Sequence, residues 1–183
     1  LIDLVVESVL DVDAGRGQIV LDIAGVTEEE LRHRPPLRRR GGIIPETLRV
    51  HGRISHARST KIVGQADFTV FLREVNRVST NGFPTKFVES LALGTPVITN
   101  LTSDLADHLR DGETGLVCAE PTRAALDAAL TRALALEGTA RRAMRDAARD
   151  EAERAFAYGP HVTTFVELLD RSRKNLKHKR VKQ

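Results

Sequence analysis

The stretch from Asn81 to Asn100, NGFPTKFVESLALGTPVITN, decides how the rest of the chain is read. It passes from a Gly-Phe-Pro turn into a helical pattern, leaves that pattern at Gly94, and enters an apolar β run through Gly-Thr-Pro. Pro84 suits a first helical position, where its missing N–H would have no partner and its φ is already helical. Gly94 suits the helix end. At about 100° per residue, Phe87, Val88, Leu91 and Ala92 make a core stripe, while Thr85, Lys86 and Glu89 share the opposite sector. A turn that opens into a helix in this way sets free backbone N–H groups and a positive dipole end at the mouth of a cleft. A phosphorylated ligand is the natural occupant of such a place.

The side chains of that sector add chemistry. Lys86 can meet a phosphate, and Glu89, one turn further in, can accept two hydroxyl hydrogen bonds from a ribose. The N–H groups of Phe83, Thr85 and Lys86 supply an anion nest to which Pro84 contributes no donor. A Lys and a Glu at i, i+3 are also the commonplace solvated pair, worth about 0.2–0.5 kcal/mol. Spacing alone leaves both readings open.

Outward from this segment the same alternation recurs. Gln18–Gly25, Leu48–Arg53, Asp67–Leu72, Pro96–Thr99 and Gly115–Cys118 read as short buried strands. Between them lie predicted helices: an opening amphipathic one, a short one capped by the Thr27/Glu30 box and stopped at Pro35-Pro36, then Ser55–Ala66, Pro84–Leu93 and Ser103–Arg110. Residues 37–45 and 73–82 read as polar loops. Strands alternating with helices call for right-handed crossovers and a parallel sheet covered on both faces, so the expected fold class is α/β, Rossmann-like. Beyond Pro121 the pattern is only helical: about 122–136, 139–157, and a final amphipathic helix expected to turn Val162, Phe165, Val166, Leu168 and Leu169 inward. The expected domain therefore spans residues 1–170, followed by a tail from 171 to 183.

Composition sets bounds on function. With 183 residues, 41% hydrophobic and 29% charged, the chain suits one globular domain. The formal charge of +3 is local, because the tail from Arg171 to Lys182 holds seven Lys or Arg and no acid, which leaves the body at −4. The folded part thus lacks the global field that recruits nucleic acid. The tail itself reads as a solvated terminus or as a docking contact to anionic lipid or nucleic acid. A single cysteine, Cys118, sits in an apolar run and reads as a small buried hydrophobe; no internal disulfide is possible, which fits a reducing, cytoplasmic setting. No apolar run approaches the ~20 residues that span a bilayer. The opening LIDLVVESVL looks like the interior of a helix with no strand before it, the pattern of a fragment.

The run from Val50 to Val117, with HGR after a strand, QADFTVFLRE, NGFPTKFVESLALGTPVITN and DGETGLV, resembles the nucleotide-sugar domain of GT-B glycosyltransferases, family four, the group 1 glycosyl transferases. The resemblance implies the C-terminal half of a GT-B fold and a donor that is a nucleotide diphosphate sugar. It implies hexose transfer with retention to a glycan, polysaccharide or glycolipid hydroxyl, without a metal or other cofactor. In that family a Glu-x7-Glu motif spans a Gly-Phe-Gly turn, the first Glu beside the donor sugar and the second on the ribose. The second maps onto Glu89 and the first onto Asn81, which carries no charge but can still hydrogen-bond a sugar hydroxyl. Pro84 and Lys86 also depart from the commoner motif, although a Pro-Thr-Lys version occurs. The resemblance further implies that the amides of Gly82, Phe83 and Thr85 hold the donor phosphates and that Gly52-Arg53-Ile54 lies beside the base. Arg53 also reads as a plain surface arginine. Arg73, ending a buried strand, projects toward the carboxyl edge where ligands bind in open α/β sheets. The family adds an Arg and a Lys from the loop after the first strand of this domain; that strand, its loop and the acceptor-binding N-terminal domain would precede Leu1, so residues 1–183 alone are expected to be inactive.

Rival chemistries find no motif. The histidines at 33, 51, 56, 108 and 161 show no metal-ligand spacing, and His51 and His56 read as structural. There is no GxGxxG, GxxxxGK[ST] or GxSxG, so a dinucleotide dehydrogenase, a P-loop NTPase and an α/β-hydrolase are not supported. The uncharged Asn81 keeps one alternative open, a domain of the same descent that holds nucleotide without catalysis.

Overall fold

The computed structural model describes residues 1–159, 162–169 and 171. Its elements run α1 (Ile2–Asp13), β1 (Leu21–Ala24), α2 (Glu28–His33), α3 (Pro35–Arg38), β2 (Leu48–Gly52), α4 (His56–Gln65), β3 (Thr69–Val70), α5 (Arg77–Asn81), α6 (Thr85–Ala92), β4 (Val97–Asn100), a 3-10 turn (Ser103–Asp107), β5 (Gly115–Cys118), α7 (Arg123–Ala135) and α8 (Gly138–Ala155). All strand pairs are parallel, in two sheets of order β1-β2 and β3-β4-β5. The α/β class with parallel strands between helices is therefore as expected.

Successive strand residues point to opposite faces, and the core divides accordingly. On β4, Ile98 joins a cluster with Val5, Val6 and Val9 of α1 and Leu126 and Leu130 of α7. Its neighbour Val97 joins the second cluster, with Phe87 and Leu91 of α6 and Ala148 and Ala152 of α8. Helices α1 and α7 pack together over one face, and α6 and α8 over the other. Cys118 lies in the first cluster as a free thiol whose pKa burial pushes up to about 11, in keeping with a hydrophobe's role.

Local signals set the element ends. Thr27 and Glu30 close the capping box of α2 reciprocally, and the Ser55 hydroxyl caps α4. Gly94, at φ +66°, ends α6 in a Schellman arrangement, with Thr95 N–H donating to Ser90 O at 2.9 Å and Gly94 N–H to Leu91 O at 2.8 Å. The buried Asp13 carboxylate accepts from the N–H groups of Gly17, Gln18 and Ile19 and so shapes the loop into β1.

Several expectations are corrected. Pro35 and Pro36 do not only stop α2; they begin α3, where Pro at the first turn is tolerated, and Pro36 and Leu37 are buried rather than part of a surface loop. Residues 77–81 form α5 inside the expected loop, because Asn76 and Ser79 make a reciprocal capping box. Pro84 is the residue before α6, not its first helical residue. On α6, Ser90 is buried where Ala92 is exposed, since the Ser90 hydroxyl reaches Lys86 O and Thr69 on β3. The segment Ser103–Arg110 yields only a 3-10 turn. Residues 162–169 are helical as expected, but Val162, Phe165, Val166, Leu168 and Leu169 are all exposed: the second core cluster already closes on Phe156, ahead of this helix. Residues 172–183, most of the basic tail, lie outside the described residues. No helix among the described residues is long and apolar enough to cross a membrane.

Gly115 begins β5 where the sheet allows no side chain. An added Cβ would strike Val97 O and come within 2.7 Å of Leu109 Cδ1. Gly115→Ala should destabilise the domain by about 2 kcal/mol through overpacking, read as a lowered urea midpoint at unchanged m-value. Gly159→Ala, with open space around its Cβ, is the neutral control.

Candidate functional site

The carboxyl edge of the β3-β4-β5 sheet carries the polar constellation. β4 ends at Asn100, which is buried, and its side-chain amide clamps the backbone of Arg73 just beyond β3: Arg73 N–H donates to Asn100 Oδ1 at 2.8 Å, and Asn100 Nδ2 donates to Arg73 O at 2.9 Å. This clamp holds two loops together where no β-ladder continues. The Arg73 guanidinium donates to Thr102 Oγ1 at 2.9 Å and has no carboxylate partner among the described residues. Its Nη2 lies 3.8 Å from where a Cβ on Gly82 would sit, so the cation lies directly against the Gly82-Phe83-Pro84 turn. Ser103, in the same rim, holds φ +54°, a left-handed conformation unusual for a residue with a side chain.

That turn lies between two helices. α5 delivers Asn81, and α6 begins at Thr85. The N–H groups of Gly82, Phe83, Thr85 and Lys86 have no acceptor among the described residues. They stand at the positive end of the α6 dipole beside the Arg73 cation. Gly82 itself is tightly placed, since a Cβ there would lie 3.0 Å from Val78 O.

Phe83 serves the site by packing. Its ring meets Phe87 at 6.0 Å and His108 at 5.7 Å edge-on, and Phe156 at 5.6 Å. His108 in turn donates from Nδ1 to Glu151 Oε1 at 2.9 Å. Glu151 is buried on α8 and also accepts from Arg110 and Arg154. Burial pushes its pKa up, but the hydrogen bonds from Arg154, His108 and Arg110 outweigh burial and hold it below the ordinary carboxylate value. A chain of contacts thus runs from a neutralised buried charge to the ring that fixes the turn.

The remaining expected residues divide. Lys86 and Glu89 are both exposed on α6, and no ion pair joins them to each other or to another charge among the described residues, so the commonplace solvated pair is not formed. Asn81 is exposed and its Nδ2 donates back to Arg77 O at 2.7 Å, leaving Oδ1 as an acceptor. Arg53 is exposed beyond β2, close enough to Glu30 to help hold that carboxylate's pKa down, behind the larger effect of the Thr27 hydrogen bonds. It follows β2, in the other sheet. His51 donates to Asp22 at 2.6 Å across β1 and β2, a structural tie as expected. Asn100, Thr102 and the Asn76–Ser79 box escaped the sequence reading. For Asn100 a signal existed, a polar residue closing an apolar strand; for Thr102 none did.

The family model described as Glycosyl transferases group 1 matches residues 2–151. The chain belongs to that family. No curated protein matches the sequence. Among solved structures, this group 1 glycosyl transferase chain is similar to the GtfA/B complex, with TM-score 0.70 at 18% identity over 94% of this chain and 33% of that one. It is similar to Anabaena Alr3699/HepE in complex with UDP-glucose, with TM-score 0.66 at 13% identity over 89% and 44%. Sucrose-phosphate synthase from Thermosynechococcus elongatus gives TM-score 0.65 at 19% identity over 93% and 42%. At these identities the likeness establishes the GT-B fold. The group 1 chain spans between a third and under half of the length of these structures.

Proposed function

We propose that this chain holds the donor in a retaining glycosyl transfer that moves a hexose from a nucleotide diphosphate sugar to a hydroxyl acceptor. One observation carries the reading: four amides, Gly82, Phe83, Thr85 and Lys86, that have no acceptor among the described residues open beside an Arg73 cation that has no carboxylate partner among them. In this reading the diphosphate lies across the turn, and the growing charge of the departing nucleotide is met by donors already in place, which need no reorganisation during the reaction. Positive potential from the α6 N-terminus and Arg73 supplies the neutralisation, so the reading calls for no metal. Glu89, exposed one turn in, takes the two ribose hydroxyls, and Asn81 Oδ1 faces a sugar hydroxyl. The acceptor is held by a separate N-terminal domain of a longer polypeptide. That similar folds have been solved with UDP-glucose and with UDP and GlcNAc supports the ligand class.

A second reading, a nucleotide-binding module without turnover, is favoured by one feature. Asn81 stands where the family motif has a carboxylate, and its amide is committed to Arg77 O. Sugar transfer by the complete polypeptide would exclude it. The main test is calorimetric titration with UDP-, GDP- and ADP-sugars. A base-selective response is expected, and equal or absent heats from all three would defeat the donor assignment.

A further inference from the structure

The two cations at the Gly82 turn stand at its opposite ends. Lys86 lies within α6, while the Arg73 guanidinium approaches Gly82, the residue next to Asn81. We infer that the sugar on the donor is a hexuronic acid and that Arg73 binds its carboxylate. The inference rests on the donor reading and names the sugar class within it.

Arg73 is held in place before any ligand arrives. Asn100, 1% exposed, accepts from Arg73 N–H at 2.8 Å and donates to Arg73 O at 2.9 Å. Nη1 donates to the buried Thr102 hydroxyl at 2.9 Å, which fixes the far end of the side chain. The Nε and Nη2 donors have no acceptor among the described residues, and Arg73 is only half-buried, so these donors are fixed yet reachable. A planar fork of donors suits the two oxygens of a carboxylate. Holding the fork beforehand lowers the ordering entropy lost on binding.

No acid among the described residues competes for that fork. From Val75 to Val88 the chain has no Asp or Glu but carries Arg77 and Lys86, and the opposite rim from Asn100 to Ser103 is uncharged. Glu74 and Asp104, the acids that flank these two stretches, form no ion pair with Arg73. Asn81 is neutral and its Nδ2 already donates to Arg77 O, so the sugar end of the turn presents no negative charge to repel an anionic sugar. A neutral hexose would offer this cation one hydroxymethyl oxygen at C5, leaving the other guanidinium donors unmatched once water is expelled. A carboxylate at C5 supplies two oxygens and a charge in the same place. Lys86, a point charge at the helical end, is left for the diphosphate together with the α6 amides.

The test is calorimetric titration with matched pairs: glucose, galactose and mannose against their uronates, each carried on UDP, GDP and ADP. In at least one pair the uronate should bind about tenfold tighter. Arg73→Gln should bring that ratio to about one. The ratio cancels whatever share Arg73 has in neutralising the diphosphate, since both members of a pair carry it. Asn81→Glu, at an exposed position, should turn the preference toward the neutral sugar, because the new carboxylate both engages Arg73 and repels the uronate. Urea unfolding of the same samples checks folding. Equal affinities in every pair, or a uronate preference that persists in Arg73→Gln, would overturn the inference and leave the donor reading in place. Should Arg73→Gln not fold, a preference untouched by Asn81→Glu would overturn it instead. Absence of binding to every nucleotide sugar would remove the donor reading and this inference together.

Discussion

Replacing Glu89 by Ala should weaken donor binding about 100-fold while leaving folding stability within about 0.5 kcal/mol. The two halves of this expectation have separate grounds. The Glu89 side chain is exposed and makes no hydrogen bond or ion pair among the described residues, so the fold loses nothing when its carboxylate goes. A carboxylate accepting two ribose hydroxyls makes charge-assisted hydrogen bonds, each worth about 1.5–3 kcal/mol, and truncation also strands the hydroxyls without partners. Glu89→Gln should fall between, because the amide accepts with one oxygen and no charge. Isothermal calorimetry with the preferred nucleotide sugar, beside urea unfolding of the same samples, separates binding from stability. Donor affinity that survives Glu89→Ala would sink the ribose assignment and, with it, the placement of the nucleotide along α6.

Glu151→Ala should be the costliest single change for the fold, at about 3 kcal/mol. Its side chain is buried and gathers His108, Arg110 and Arg154, so removal opens a cavity and releases three donors at once. Urea unfolding measures the loss. Because His108 packs on Phe83, the turn should loosen as well, and donor affinity should fall about tenfold although Glu151 touches no ligand. The pH dependence carries a defined sign. Glu151 and Asp13 both have folded-state pKa values held below their ordinary values of 4.5 and 3.8. The unfolded chain therefore takes up these protons first as pH falls. The stabilisation is complete above the ordinary values and drains away as pH falls through the lower folded ones. Glu151→Ala should flatten this acid limb, and a limb of unchanged steepness would show that Glu151 does not contribute to it.

How much was legible differs from element to element, for physical reasons. β4 and β5 were readable because strands buried on both faces must be apolar throughout, and α2 because the Thr27/Glu30 box is a local contact between residues three apart. α5 was missed although its Asn76/Ser79 box is equally local, because Ser at the closing position is a weaker mark than Glu. β3 is shorter than its apolar run suggested: a ladder needs a partner, and β3 is paired on one edge only, with β4, among the described residues. The helix at 162–169 has the periodicity of a packed element, yet its apolar residues are exposed and join neither core cluster. Periodicity specifies an apolar face without specifying what covers it.

By itself the amino-acid order determined the α/β alternation, the turn that opens into a helix at Gly82–Lys86 and the exposed sector that holds Glu89, since each depends on residues a few positions apart. Only the tertiary structure decided that Asn100 clamps Arg73, that the Arg73 cation faces Gly82, that Glu151 steadies Phe83 from α8, and that the strands pair in two sheets. Those relations join residues tens of positions apart through side-chain reach and strand order, and no local spacing encodes either.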